Sequence, residues 1–269
     1  MRNIMMAMTA VLVLSACGAG GTGTNTGHPN PTSPTGGTTA NTLSGRILDA
    51  AGKPVADAEV WIQPVSYQGL IKARTDAQGR YQSIELNPSL APYRAQAYKV
   101  VNYHGEQNCV RMGGETSADF DVFNAKDGAV RNFRWKMQGS SEGGYDDQTW
   151  GGNLRFYKDP ETDDADMVRS DEVLEVKLVP NGPLIDGSVG EEWDYTVHTG
   201  QGVKDVPVGR YNMSAVVVNA DGTKTPLRLK ADNDVQQTGW NTTITILFDG
   251  LSNCGHYATF HSTPIAISR

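Results

Sequence analysis

The stretch Leu43–Val65, LSGRILDAAGKPVADAEVWIQPV, continued by Thr75–Leu86, TDAQGRYQSIEL, decides how this 269-residue chain folds. Ala58, Val60 and Ile62 fall on one face while Glu59 and Gln63 fall on the other, the period-2 alternation of a half-buried strand. A strand before Asp49, a turn built on Asp49 and Gly52, and a second strand after Pro54 follow from the same reading. Pro54 presets the chain leaving the turn, and Gly52 and Gly79 give the backbone freedom that tight turns need. A third strand then begins after the Asp76–Gly79 turn.

The same alternation recurs outward from this stretch. Phe133-Trp135-Met137, interleaved with Asn132, Arg134 and Lys136, reads as the cleanest strand in the chain. Leu174-Val176-Leu178, Tyr211-Met213-Ala215-Val217, Ile244-Ile246-Phe248 and Ile265-Ile267 do likewise. Between them stand the turn pairs Asp127-Gly128, Asn181-Gly182, Asp186-Gly187, Asp221-Gly222 and Asp249-Gly250. Helical periodicity is scarce. Many short strands at this spacing predict an all-β chain of two β-sandwiches, residues 42–137 and 148–269. The Gly- and Ser-rich segment 138–147 reads as the linker.

Gly45, Asp49, Gly52, Pro54-Val55, Ala58, Val60, Thr75-Asp76, Gly79 and Tyr81 together resemble the hallmark string of the carboxypeptidase regulatory-like family. That resemblance implies a transthyretin-like sandwich over 42–137 that serves as an accessory module without catalytic residues of its own. Pro92-Tyr93 fits the family's closing strand, whereas Tyr98–Asp121, with Tyr103, His104, Cys109 and Arg111, departs from its compact pattern and reads as an insertion that meets the second domain. Intradiol ring-cleavage dioxygenases share much of this series and hold ferric iron through two tyrosines and two histidines. Trp61, Tyr67, Tyr81, Tyr93 and His104 are the matching residue types, but no His-x-His pair accompanies them. In the second segment, Asp205–Tyr211 resembles the Pro-x-Gly-x-Tyr strand start of such sandwiches, and a diverged tandem repeat stays open.

The amino-terminal residues give an address. Arg2 and the apolar run Ile4–Leu14 form a signal-like segment too short to span a bilayer as a stable helix. Leu14-Ser15-Ala16-Cys17 resembles the lipobox of bacterial lipoproteins, which implies cleavage after residue 16 and acylation of Cys17. An ordinary secretory signal with a chance cysteine is the alternative. Gly18, where aspartate would retain such a protein at the inner membrane, favours the outer membrane. Residues 17–41 carry no Asp, Glu, Lys or Arg, no Phe, Tyr or Trp and no large aliphatic side chain, the composition of a disordered tether.

Composition narrows the partners. There are 30 Asp and Glu against 23 Lys and Arg, a net charge of −7, with no basic cluster, so nucleic acid is not expected. With Cys17 acylated, Cys109 and Cys254 remain. Export makes a disulfide between them plausible, and two buried free thiols are the other reading. Such a bond would close a loop of about 146 residues, contributing on the order of 5 kcal/mol in the chain-entropy account.

Chemistry-bearing clusters are few. Asp159, Glu161, Asp163, Asp164 and Asp166, with Asp171 and Glu172 beyond, offer oxygens for calcium but lack the EF-hand order, and a solvated acidic loop explains them as well. Cys254, His256 and His261, with His198 recruited, are weak metal candidates. Tyr145, Trp150, Trp193, Tyr195 and Trp240 could stack on sugars or anchor a core. No Gly-x-Ser-x-Gly, His-Glu-x-x-His or phosphate-binding Gly-Lys-Ser/Thr occurs. The expectation is a non-catalytic, lipid-anchored envelope protein without a cofactor, acting as a scaffold or accessory subunit with an envelope protein partner. A glycan- or wall-binding module is the alternative, and a metal-dependent enzyme the third reading.

Overall fold

Side chains that the opening stretch itself supplies close its turns. The computed structural model describes residues 38–141, 149–159, 163, 166–169, 171–231, 239–248, 252–255 and 262–269. Strand β1 (Leu43–Leu48) ends at Asp49, whose carboxylate accepts the Lys53 N–H at 2.7 Å. Strand β2 (Glu59–Pro64) pairs with β3 (Ile71–Arg74), and the chain then turns at Asp76 into β4 (Arg80–Gln82). The Asp76 carboxylate accepts the N–H groups of Gln78 and Arg80 at 2.9 and 2.8 Å, which holds its carboxyl below the usual range. Thr75 accepts the Ala58 N–H and donates to the Val55 carbonyl, both at 2.8 Å, fixing where β2 begins.

The rest of the first sandwich follows. The 3-10 turn Pro88–Leu90 leads into β5 (Tyr93–Tyr103), which forms a long hairpin with β6 (Glu106–Gly114). A second 3-10 turn (Ser117–Phe120) and the short strands β7 (Ala129–Val130) and β8 (Phe133–Arg134) complete it. One sheet runs β3-β2-β5-β6-β8-β1-β4, with β7 alongside β1. It folds over so that Leu43, Ile47, Val60, Ile62, Tyr93, Ala97, Met112 and Phe133 are buried. Gly45 and Tyr81 act together here. A Cβ on Gly45 would fall 1.8 Å from the Arg131 carbonyl oxygen, to which the Tyr81 hydroxyl donates at 2.7 Å.

The second sandwich has two separate sheets. Strands β9 (Gly152–Tyr157), β12 (Val203–Val206), β15 (Arg228–Ala231) and β17 (Ser262–Ser268) form one in the order β12-β9-β17-β15. Strands β10 (Val173–Pro180), β11 (Trp193–His198), β13 (Arg210–Val218), β14 (Lys224–Pro226) and β16 (Thr243–Leu247) form the other. Its order is β11-β10-β13-β14, with β16 against the first half of β13. Leu174, Val176 and Leu178 face Met213, Ala215 and Val217 across the β10–β13 register, and all are buried. The chain is all-β, its sheets stacked as sandwiches. Thr38–Arg269 is one compact unit, and the buried apolar side chains of both sandwiches form one contiguous cluster.

Two local expectations change. Phe133-Trp135-Met137 yields only the two-residue β8, because its neighbour β1 ends at Leu48, whose carbonyl accepts the Trp135 N–H as the last bond of that pairing. Residues 98–114 are no insertion: they belong to β5 and β6 at the centre of the first sheet.

Candidate functional site at the junction of the sandwiches

Cys109 on β6 and Cys254 are disulfide-bonded, with Cα atoms 5.2 Å apart, so the first sheet is covalently tied to the segment after β16. This removes Cys254 from the metal candidates, since a disulfide sulfur is not the thiolate a zinc or copper site needs. His256 and His261 lie outside the described residues. His198, at the end of β11, places Nδ1 3.1 Å from the Asp171 carbonyl oxygen.

Three further groups clasp the sandwiches. Tyr103, at the end of β5, donates its hydroxyl to the Pro183 carbonyl at 2.9 Å and accepts the Arg210 N–H at 3.0 Å. Burial raises its hydroxyl above the ordinary tyrosine value, while the Arg210 hydrogen bond opposes that. Asp205 has a positive φ of 60° and caps the linker. Its carboxylate accepts the N–H groups of Gly139 and Gly151 at 2.8 and 3.0 Å, and its carbonyl accepts from Gln138 Nε2 at 2.9 Å. Burial, with the Asp205 charge adding, pushes the Tyr195 hydroxyl up to about 12.

Trp150 is the third clasp. Its ring is fully buried, with the Arg111 guanidinium 5.5 Å and the Lys136 ammonium 6.0 Å from it. Gly113 makes this approach possible, since a Cβ there would fall 2.9 Å from the Trp150 ring. Arg111 is buried as well and also lies 5.3 Å from the Phe120 ring. Arginine against aromatic faces keeps its charge favourable at low exposure to water.

Above these clasps the junction opens into a cleft of about 420 Å³. The β1–β2 turn with Asp49 and Lys53 forms one wall, and Leu184, Val189 and Trp193 form the other. Val189 is 91% exposed there. The Trp193 and Tyr195 rings stack 6.2 Å apart with 20° between their planes. The cleft thus combines the Trp193 ring with the carboxylates of Asp49, Asp186 and Glu191.

The aromatic residues do not form one sugar-stacking face. Trp150 is core, Trp193 and Tyr195 line the edge strand β11, and Trp240 lies 5.9 Å from both Arg228 and Lys230. Tyr145 is outside the described residues. The acidic segment is answered by cations. Asp159 is buried and pairs with Lys230 at 3.0 Å, Asp166 pairs with Arg228 at 3.0 Å, and Glu172 pairs with Arg269. Asp163 is exposed, and Glu161 and Asp164 lie outside the described residues.

Nor are the iron-type residues gathered. Tyr67 is exposed on the β2–β3 loop, and the Tyr81 and Tyr93 hydroxyls donate to backbone carbonyls of Arg131 and Asn87. Trp61 donates to Glu59 at 2.9 Å and packs on Tyr98. His104 follows the far end of β5 and packs against Tyr103, about 35 Å along the strand from Tyr93. Among the described residues, no group of three or more His, Cys, Asp or Glu is placed to hold a metal ion. The sequence named the two cysteines at this junction and placed Tyr103 in a segment that meets the second sandwich, but it missed Asp205 and Trp150 as clasps, because nothing local marks their partners.

No helix among the described residues is long and apolar enough to cross a membrane. Cys17 lies outside them. No family model matches the chain, and no curated protein does. Among solved structures, the Bacillus anthracis TIE protein is similar at 10% identity and a TM-score of 0.33, over 84% of this chain and 32% of that one. A streptococcal ancillary pilin is similar at 10% identity and a TM-score of 0.23, over 84% of this chain and 68% of that one. The chain thus spans about a third of the length of the first and two thirds of the second.

Proposed function

We propose that this chain is a non-catalytic, lipid-anchored envelope protein whose two sandwiches form the body of a scaffold or accessory subunit, the first of them of carboxypeptidase regulatory-like type. The observation that carries the reading is the Cys109–Cys254 bond between the sandwiches. A structural disulfide persists in exported proteins and is rare where thiols are kept reduced, which agrees with the signal-like segment ahead of Cys17. The bond, Tyr103, Asp205 and Trp150 together give one body rather than two modules that move independently, as a scaffold requires.

Two experiments test this. Cys17→Ser should move the protein to the soluble fraction and abolish labelling by radioactive palmitate, and a membrane-bound variant would contradict the anchor. Purifying the native protein from detergent-solubilised envelope should bring down a protein partner at fixed stoichiometry. A second reading, a glycan-binding module, is favoured by Trp193 and the carboxylates at the cleft. A monomer retained on glycan columns would select it over the scaffold.

A further inference from the structure

Of the seven exposed large apolar residues described, five lie together, while Val100 and Val189 lie elsewhere. Val65, Tyr67, Leu70, Ile84 and Val122 are each between 42% and 69% exposed. The strand registers put all five at one end of the first sandwich. Pro64 at the end of β2 pairs with Tyr93 at the start of β5, and Val65 donates to the Pro92 carbonyl, so the 65–70 loop is at that end. Gln82, at the end of β4, pairs with Ser44, at the start of β1, and the Leu86 N–H donates to Asn41, which brings Ile84 there. Phe123 bridges to Tyr93, which brings Val122. The second sandwich meets the outer face of β5 and β6, where Trp150 lies against Gly113 and Cys254 bonds Cys109, and the opposite end, where Tyr103 meets Pro183 and Arg210 and where Asp49 and Lys53 face Val189 across the cleft.

The chain also enters the first sandwich at the apolar end. The Asn41 N–H donates to Ala125, and Thr39 packs against Gly128. The 65–70 loop, VSYQGL, carries no charge. Around it the exposed charges are mixed, Glu85, Asp121 and Asp127 against Lys126 and Arg94. An uncharged loop with one tyrosine and two aliphatic side chains inside a mixed rim suits the headgroup boundary of a bilayer, where an amphipathic ring has one wet end and one apolar end.

We infer that this end of the first sandwich, the 65–70 loop with Ile84 and Val122, rests on the lipid surface to which Cys17 is anchored, so that the second sandwich points away from the membrane. The inference depends on the lipid-anchor reading. At the reach expected from composition, about 25 Å for the residues between Cys17 and Thr38, the anchor holds this end at millimolar effective concentration. A shallow contact of a few side chains, too weak to bind membranes by itself, is then enough to orient the body. Lipid is preferred over a protein partner because the tether delivers this end, and not the junction, to the bilayer.

The test uses the full chain with p-benzoylphenylalanine in place of Tyr67, of Ile84 or, as a control of equal apolarity at the opposite end, of Val189. Irradiation in intact envelope, with palmitate labelling of the same samples, is read by mass spectrometry. The expected result is phospholipid adduct at Tyr67 and Ile84 at least tenfold above that at Val189. Palmitate-labelled protein whose Tyr67 position crosslinks to a protein, or to lipid no better than Val189 does, overturns the docking while leaving the anchor standing. Protein without palmitate label overturns the anchor, and the docking with it.

Discussion

The two sandwiches solve the same closure problem with different amounts of local information. Each pairs its first strand with its last in parallel, Ile47 against Phe133 in the first and Leu154 against Thr263 in the second. In the first, Thr75, Asp76, Gly79 and Tyr81 surround a single turn and fix β2, β4 and the Arg131 backbone by direct hydrogen bonds. The second has its turn caps apart from one another, Asp186 accepting from Ser188 and Asp221 from Thr223, rather than gathered in one string. Its β17 lies between β9 and β15, and its β10 pairs with β13, neighbours 30 or more residues away in sequence. A fold specified by turn chemistry can form its local pairs early, whereas one specified by distant pairing must first close long loops. The second sandwich should therefore depend more on the junction than the first does.

The largest effect expected is that of breaking Cys109–Cys254. Cys109→Ala with Cys254→Ala, or reduction, should cost up to about 5 kcal/mol by loop entropy. Hydrogen exchange should rise more in β16 than in the β5–β6 hairpin, where Cys109 is held by its own ladder. Equal increases in both sandwiches would break the comparison. Trp150→Ala comes next, at about 3–5 kcal/mol, since a fully buried ring leaves a cavity between the sandwiches. For a body of this size that is a fall in Tm of roughly 6–20 °C by thermal denaturation.

Tyr103→Phe should cost about 1–3 kcal/mol, because the Arg210 N–H and the Pro183 carbonyl lose their shared partner. Chemical denaturation should show the loss, and a variant as stable as the parent would remove Tyr103 from the clasp. The smallest effect is confined to the first sandwich. The Glu59 carboxyl is held below its ordinary value of 4.5 by hydrogen bonds from Trp61 and then Lys72, with the Lys72 and Arg74 charges adding. A depressed carboxyl contributes stability above its unfolded pKa and loses it as pH falls through the folded value. Glu59→Gln should thus be less stable than the parent at pH 7, with the gap narrowing below about pH 4.5 in denaturation curves measured across pH.

Legibility followed the same division. The alternations at 58–62, 174–178 and 211–217 became β2, β10 and β13 because a strand with one buried face must alternate wherever it lies. The pattern at 133–137 misled because it also serves a bend: Phe133 and Trp135 are buried, and Met137 lines the cleft. Tyr98–Gly114 looked irregular because Arg111, Cys109 and Tyr98 are buried on a face that ordinarily meets solvent and here meets the second sandwich. Burial by a neighbouring sandwich leaves no period in the strand that it covers.

What the sequence determined by itself was the all-β class, the turn-bearing string from Gly45 to Tyr81, and the two cysteines able to pair. Turns and alternation are properties of residues a few positions apart, so they can be read from the chain. The tertiary structure alone decided that Asp205 holds Gly139 and Gly151, which partners Tyr103 and Trp150 take, and that five of the seven exposed large apolar side chains described gather where the chain enters the first sandwich. Those are relations between residues brought together by distant strand pairing and shared burial, for which no short stretch of sequence carries a mark.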